Sequence, residues 1–350
     1  MANKDWMGAL DDDRALNTLV MPGSHDASMY ECKAGTSQST VNGTITQFDD
    51  FAVQLEAGAR FFDIRIYKTG GVLRAGHFAS KSRAIIGAYG PTFADILQEF
   101  PRFLTRHRGE TVILKISLSK SASADAVRLI ETQWTNFLFE SSAPRALAAA
   151  TLGQLRQKIV VVFDKPTGTV TKKMHVASKT VPAAGTLPTG RSTLWLQGEA
   201  PKGNRIAKVV AKQNVERAKV AGARLAPHLA MFYLTITASK GDVVTGKSCV
   251  ADNTAREFGL TGAARSTEQA KIRGKYSAWN EASGEKYADK IQVGPGSAAP
   301  NIYMVDFVND DVCSEILKIS DSVLSPTPKF VPDDDEGYEA DDEEELEEPE

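Results

Sequence analysis

Short apolar runs alternate along this chain with longer stretches in which apolar residues recur at helical spacing. Most of the short runs are apolar on both faces, which is typical of a parallel sheet covered by helices. Eight of them, rich in Val, Ile, Leu and aromatic residues, are predicted to be strands: 16–21, 60–67, 72–77, 111–117, 158–163, 192–197, 229–237 and 301–308.

Helical spacing of apolar residues recurs between many of these runs. It predicts helices over 93–108, where Pro101 is expected to kink or break the helix, and over 124–139, 205–222 and 311–324. Eight strands alternating with helices predict an α/β fold of the TIM (β/α)₈ barrel type. The link between residues 67 and 72 is too short for a helix, so we expect an irregular barrel there. Residues 166–191 and 238–300 are rich in Gly, Ser, Thr and Lys and are predicted to be long loops.

Charge divides the chain into two parts. The last twenty residues, 331–350, hold 13 acidic residues and no Lys or Arg, which leaves 31 acidic against 41 basic residues, a formal charge of +10, in the rest. A run of like charges cannot bury a core, so we predict one domain over 1–325 and a disordered acidic tail over 326–350. The basic body is suited to anionic surfaces, and the tail either covers that face or only keeps the protein in solution.

Several classes of protein are excluded by composition. Three cysteines (Cys32, Cys249 and Cys313) without a CxxC motif argue against a disulfide scaffold or a zinc knuckle. No apolar run approaches the roughly 20 residues of a membrane span. The N-terminus has acidic residues and no apolar signal core, so export would need a route without a classical signal peptide. We expect secretion or export by such a route and action at membrane surfaces, with a cytoplasmic location left open.

Polar side chains interrupt or follow the predicted strands. His25 follows the first strand and His77 ends the third, while Lys115 lies within the fourth. Asp63 and Arg65 lie in the second strand. Because active-site residues of a barrel cluster at the carboxyl ends of its strands, we expect these side chains to meet at one mouth.

Four stretches together resemble a known family. GSHDAS, QLEAGARFFDIRIY, LRAGHF and RGETVILKIS are similar to the X domain of bacterial phosphatidylinositol-specific phospholipase C, over about residues 15–120 and more weakly as far as NIYMVDFV. The resemblance implies a distorted, incomplete TIM barrel. It also implies cleavage of phosphatidylinositol to diacylglycerol and a 1,2-cyclic inositol phosphate.

The resemblance assigns acid–base roles to two histidines. His25 is implied to be the general base that activates the inositol 2-hydroxyl, and His77 the general acid that protonates the leaving oxygen. Asp26 is implied to assist His77, and Asp306 to orient His25. Histidine suits both roles because its usual pKa, near 6.5, lets it accept or donate a proton at neutral pH. A paired carboxylate fixes the tautomer and stabilises the imidazolium.

The expectation about metals depends on Arg65. A phosphorane-like transition state gathers negative charge, which a guanidinium can stabilise. Eukaryotic members of the family hold calcium at this place with carboxylates and an asparagine, where this chain has Asp26, an Asp-Ile-Arg sequence and Lys115. Calcium needs 6–8 oxygen ligands, and a guanidinium would repel it. We therefore predict no metal and no cofactor.

Four residues are predicted to bind the substrate. Asp63 resembles the acid two residues before the family's arginine. Lys115 should point into the barrel mouth, although it could instead extend along a sheet edge. Lys165 and Glu199 follow the fifth and sixth strands and are candidates for binding inositol hydroxyls.

The partner expected is phosphatidylinositol in a membrane surface, bound peripherally by a monomer that has no transmembrane segment and binds no nucleic acid. Two other functions remain open. One is a metal-dependent phosphodiesterase or phospholipase D on the same barrel, and the other is an inactive lipid-binding module. The HRG within RHRGE (106–110) is interpreted as unrelated to a phosphodiesterase signature, because it lies at a helix end before a strand.

Overall fold

The computed structural model describes residues 3–35, 44–78, 87–141, 145–164, 173–179, 192–198, 212–213, 215, 228–235 and 300–324. Most of the predicted helix over 205–222, nearly all of the predicted loop over 238–300 and the predicted tail over 326–350 lie outside these residues. The division into a domain and a tail therefore stays a prediction.

Eleven strands are found among the described residues. They are β1 (Met21–Ser24), β2 (Ala34–Gly35), β3 (Phe61–Thr69), β4 (Val72–Phe78), β5 (Gly87–Thr92), β6 (Val112–Leu118), β7 (Ile159–Phe163), β8 (His175–Ser178), β9 (Thr193–Gln197), β10 (His228–Leu234) and β11 (Ile302–Val305). Eight of them, β1, β3 and β6 to β11, pair in parallel and close into a ring through β11–β1 and β1–β3. The predicted TIM-type barrel is confirmed.

β4 differs from the prediction because it is not part of the ring. It folds back antiparallel on β3 through Gly70 and Gly71, whose φ angles of 54° and 79° suit a two-residue hairpin turn. β5 and β2 extend this antiparallel flap. The irregularity expected at the short link after residue 67 is therefore confirmed, and it places His77 on a flap beside the barrel.

Two other strand predictions were wrong. Residues 16–21 were predicted to be a strand, but Leu16–Thr18 form a 3₁₀ helix and the strand begins at Met21. Apolar residues alone did not distinguish the two. The ring strand β8 lies inside the segment predicted to be a loop over 166–191, because four residues are too short to show a period.

Some of the helices cover the outside of the ring, while others pack against the apolar residues inside it. They are α1 (Phe51–Glu56), α2 (Phe93–Arg106), α3 (Ser123–Trp134), α4 (Leu152–Leu155) and α5 (Asp310–Leu324), with 3₁₀ helices at Asn3–Asp5, Met7–Ala9, Leu16–Thr18, Lys120–Ala122 and Leu147–Ala149. The helices predicted at 93–108, 124–139 and 311–324 are confirmed, the second ending early at Trp134. Pro101 lies inside α2 without ending it. No described helix is long and apolar enough to cross a membrane.

The ring has an inner and an outer apolar cluster, and strand alternation assigns side chains to each. Phe61 and Ile113 belong to one cluster, while Phe62 and Leu114 belong to the helix-covered one. Successive side chains of a strand point to opposite faces. Phe61 therefore shares its inward face with the later odd-numbered positions of β3, which brings polar residues to the barrel mouth.

Candidate active site

A cavity of about 590 Å³ opens at the carboxyl ends of the ring strands. Its lining includes His25, Asp63, Arg65, Lys115, Asp164 and Tyr233. Four of these side chains are ones that the sequence predicted for the site. The polar residues that interrupt otherwise apolar strands thus converge on one cavity, as expected for a barrel.

His25 follows β1 directly and is held by two carboxylates. Its Nδ1 lies 2.8 Å from Asp306 Oδ1, and its Nε2 lies 3.5 Å from Asp26 Oδ2. Burial lowers the pKa of His25, but the charges of Asp26 and Asp306 outweigh it and raise the pKa to about 9. Burial in turn raises the pKa of Asp306, which the charge of His25 partly offsets. The pair gives His25 a fixed orientation and a strong affinity for a proton.

Asp26 lies at the centre of the site with a φ of 41°, uncommon for a residue other than glycine. Its buried carboxylate has an ion pair with Arg65 (Nε to Oδ1, 2.7 Å), and its Oδ2 lies 3.5 Å from Nε2 of His77. Neither oxygen has an aligned hydrogen bond among the described residues. The carboxylate is therefore held by the charges around it and leaves hydrogen-bonding capacity unused.

His77 reaches the site from the flap. Its Nδ1 lies 3.2 Å from the carbonyl oxygen of Thr44, and its side chain is 25% exposed. A backbone carbonyl accepts only from a protonated nitrogen, so Nδ1 carries a proton. The Nε2 atom faces Oδ2 of Asp26 at 3.5 Å.

Asp63 and Lys115 are Cα partners on the neighbouring strands β3 and β6, and their side chains meet at 2.7 Å. Lys115 Nζ also lies 3.2 Å from Asp164, which accepts a hydrogen bond from Ser117. Burial raises the pKa of Asp63, but Lys115 and Arg65 lower it well below its usual range. Burial likewise lowers the pKa of Lys115, and its two acidic partners more than reverse this. Both groups are charged, and Lys115 points into the mouth as predicted.

A guanidinium lies where a metal would have to bind. Among the described residues, His25, Asp26 and Asp63 present ligand atoms within 4.8 Å of one another. Arg65 contacts both carboxylates, with its Nη2 atom 3.5 Å from Asp63 Oδ2, and the charge of Asp26 raises the pKa of Arg65 further. A calcium ion would meet this charge and find few of its 6–8 oxygen ligands, so the residues do not fit it.

Several residues that shape the site were missed by sequence reasoning. Asp164 directly follows β7, and its position at the carboxyl end of a strand was a signal that could have found it. Tyr233 was hidden in an apolar run, yet its ring meets His25 edge-on with centroids 6.1 Å apart. Lys165 and Glu199, which were predicted instead, lie outside the described residues.

Known proteins resemble this chain in sequence over about half of its length. No family model matches the chain. The 1-phosphatidylinositol phosphodiesterase of Staphylococcus aureus (strain Newman) is 24% identical over 180 residues, which are 50% of this chain and 54% of that protein. The human PI-PLC X domain-containing protein 2 is 25% identical over 192 residues, 47% of this chain and 61% of that protein. The chain thus spans little more than half the length of these curated relatives.

The similarity in fold covers more of the chain than the similarity in sequence. The phosphatidylinositol-specific phospholipase C of Staphylococcus aureus superposes over 90% of this chain and 97% of its own, with a TM-score of 0.61 and 18% identity. The enzyme of Listeria monocytogenes covers 91% of this chain, with a TM-score of 0.53 and 15% identity. The chain is therefore similar in sequence, over about half its length, to proteins that include a phosphatidylinositol phosphodiesterase, and over most of its length it shares the fold of bacterial phosphatidylinositol-specific phospholipases C.

Proposed function

We propose that the chain is a phosphatidylinositol-specific phospholipase C, a phosphorus–oxygen lyase that forms diacylglycerol and a 1,2-cyclic inositol phosphate. One observation carries the proposal. His25 and His77 each present Nε2 at 3.5 Å from the same oxygen of Asp26, beside the guanidinium of Arg65. Two proton-transfer groups and one cationic group therefore surround a single carboxylate, a combination that suits internal attack on a phosphodiester.

His25 is the proposed general base. It takes the proton from the inositol 2-hydroxyl as that oxygen attacks phosphorus. The hydrogen bond to Asp306 supports this role, because it leaves Nε2 free to face the substrate. A pKa of about 9 makes His25 a strong base but leaves it protonated in the free protein at neutral pH. The value of kcat/KM is therefore expected to rise with pH.

His77 is the proposed general acid. It protonates the diacylglycerol oxygen as the bond from that oxygen to phosphorus breaks. Asp26 supports this role by stabilising the imidazolium through the 3.5 Å contact, while Thr44 holds the opposite ring nitrogen. In a second step the two histidines would exchange roles, and water would open the cyclic ester.

Arg65 takes the part that calcium plays in the eukaryotic members of the family. Its side chain is 31% exposed at the cavity, and Asp26 and Asp63 hold it from behind. Charge that develops on the nonbridging phosphate oxygens is stabilised by this preorganised guanidinium. The proposed reaction consequently needs no metal and no cofactor.

The remaining polar side chains of the cavity are proposed to bind the inositol ring. Lys115 can donate to ring hydroxyls while Asp63 and Asp164 accept from them, and the ammonium of Lys115 pairs with both carboxylates. Lys165 and Glu199 remain candidates for the same ring. Phosphatidylinositol at a membrane surface is the proposed partner, approached peripherally by a monomer.

Phosphorus NMR of phosphatidylinositol vesicles in excess chelator tests the proposal. A cyclic inositol phosphate signal is the expected result. Product that forms only after calcium is added would keep the lyase and overturn the role given to Arg65. No product under either condition would favour an inactive lipid-binding module, and release of a phosphatidic acid signal would favour a phospholipase D.

A further inference from the structure

Three polar residues are buried in the segment 44–47, which precedes α1 in the chain. Thr44, Thr46 and Gln47 have exposed fractions of 1%, 7% and 0%. Buried polar groups destabilise a fold unless they form hydrogen bonds. Most of the hydrogen bonds of this segment reach the backbone of the loops that carry the proposed catalytic residues, so the segment is part of the architecture of the site.

Gln47 links the two loops that carry the base and its carboxylate. Its Nε2 donates to the carbonyl oxygens of His25 (2.9 Å) and Val305 (3.2 Å). Its Oε1 accepts from the backbone N–H of Val308 (2.9 Å). One side-chain amide thus bridges the ends of β1 and β11, and each of its partners is His25 itself or lies within two residues of Asp306.

Thr46 forms hydrogen bonds to two residues with left-handed backbone, one directly after His25 and one directly after Asp306. The φ angle is 41° at Asp26 and 57° at Phe307. The Thr46 hydroxyl donates to the carbonyl oxygen of Asp26 at 2.9 Å, and the Thr46 carbonyl accepts from the N–H of Phe307 at 2.8 Å. Left-handed residues other than glycine persist where their surroundings fix them, and this segment supplies those bonds.

Only an amide fits the position of Gln47. Two donors must meet two carbonyls, and one acceptor must meet an N–H. A glutamate lacks the donors, an apolar side chain leaves the Val308 N–H and the His25 carbonyl without this partner, and an asparagine is one methylene shorter. The bridge is therefore specific to the chemistry of glutamine, beyond the filling of space.

We propose that Gln47 is a positioning residue, which locks the loop after β1 against the loop after β11 and so keeps His25 Nδ1 at bonding distance from Asp306. Small displacements of a general base lower the rate sharply, because proton transfer needs close, aligned groups. The proposal rests on the proposed function, but its geometric part can be measured without any turnover.

Asn301 offers a matched control. It directly precedes β11 and ties this end of the strand to the segment before β1 and to β10, since its Nδ2 donates to the carbonyl oxygens of Asn17 (2.9 Å) and Leu19 (3.0 Å) and its Oδ1 accepts from the N–H of Ala230 (2.9 Å). Gln47→Met and Asn301→Leu each remove two donated hydrogen bonds and one accepted hydrogen bond. Both variants should lower the Tm, so a merely structural role predicts similar effects on activity.

We expect Gln47→Met to lower kcat by about 10–100-fold with KM within about threefold, measured well below both Tm values, and Asn301→Leu to keep kcat. In an Asp306→Asn background, Gln47→Met should lower kcat by no more than about threefold further, because both changes act through His25. Equal losses in the two variants, an unchanged kcat in Gln47→Met, or fully additive effects with Asp306→Asn would overturn the proposal.

The low-field proton NMR signal of the His25 Nδ1–H, identified by its absence in Asp306→Asn, should weaken in Gln47→Met and persist in Asn301→Leu. This readout needs no substrate. It therefore tests the positioning even if phosphatidylinositol proves not to be cleaved, and an unaltered signal would contradict it. If Gln47→Met does not fold, Gln47→Glu keeps the length and the acceptor for Val308, and the same expectations apply.

Discussion

The Nδ1 atom of His25 lies 2.8 Å from Oδ1 of Asp306, although 281 positions separate the two residues in the chain. Each residue directly follows a strand, and the last residues of those strands, Ser24 and Val305, are Cα partners where β1 pairs with β11. His25 and Asp306 are thus each one position beyond two residues that are paired in the parallel sheet. The strand pairing that closes the barrel therefore also brings the proposed base to its carboxylate.

Replacing either histidine should strongly reduce turnover and leave the fold intact. We expect His25→Ala and His77→Ala each to lower kcat by about 10²–10⁴-fold, because each removes one proton-transfer group. His228→Asn is the matched control, since His228 is buried at the start of β10, the end of the strand away from the cavity. Turnover of phosphatidylinositol and circular dichroism are measured together. Comparable losses in all three variants would contradict the assignment.

Asp306 should set the proton affinity of His25. Asp306→Asn removes a charge and a hydrogen bond that both raise the pKa of His25, so this pKa should fall below about 9. NMR titration of the imidazole measures it. The rising limb of kcat/KM against pH should move to lower pH in the same variant, although the rate at the plateau should fall. A pKa that stays unchanged would show that the pair is not coupled as described.

The raised pKa of His25 also predicts how stability depends on pH. A group whose pKa is higher in the folded state contributes stability that is fully present below its unfolded pKa of 6.5 and is lost as pH rises through about 9. The Tm of the wild-type protein should therefore decline over this window more than that of His25→Asn. Parallel Tm curves for the two proteins between pH 6 and pH 9.5 would exclude the linkage.

Catalysis should depend on the guanidinium of Arg65 and not merely on its positive charge. Arg65→Lys keeps a cation but loses the fork that contacts Asp26 and Asp63, and it should lower kcat by about 10²–10³-fold. The rate is measured with chelator and then with added calcium. Wild-type activity should be the same in both conditions. A loss of wild-type activity in chelator would favour a metal-dependent phosphodiesterase or phospholipase D.

Lys115 should act on substrate binding. Lys115→Met removes the ammonium from Asp63 and Asp164, and we expect KM to rise by about tenfold or more with a smaller change in kcat. Lys68→Met is the control, because Lys68 pairs with Asp125 at 2.6 Å on the part of β3 beyond the ring. Steady-state kinetics on mixed micelles separates KM from kcat. An equal effect in Lys68→Met would count against a binding role.

The acidic tail is predicted to reduce binding to anionic bilayers. Residues 331–350 carry 13 acidic residues beside a body of formal charge +10. Deleting them should raise activity on anionic vesicles severalfold at low salt, and the difference should vanish at high salt, where charges are screened. Neutral vesicles serve as the control. Unchanged activity of the truncated protein at low salt would contradict this role.

The fold class was accessible from the sequence because it depends on local patterns. Two-sided apolar strands separated by helices indicate a parallel sheet, and α2 and α5 lie where their spacing predicted them. The exceptions have physical reasons. β8 is four residues long and shows no period, and β4 resembles a ring strand in composition although the two glycines before it turn the chain back.

Part of the candidate site could also be predicted from the sequence, because a charged or polar residue within an apolar strand indicates a functional role. Asp63, Arg65 and Lys115 were found in this way, and strand alternation carried them into the cavity. The sequence by itself determined the barrel and the polar residues at its mouth.

Only the tertiary structure decided which of these residues touch. The pairing of β11 with β1 brings Asp306 to His25, the antiparallel flap brings His77 to Asp26, and the contacts of Gln47 appear only once these loops adjoin. A pattern along the chain records which face a residue occupies, whereas a hydrogen bond between distant residues depends on strand register and closure. That information is held in the packing of the whole barrel and in no local stretch of the chain.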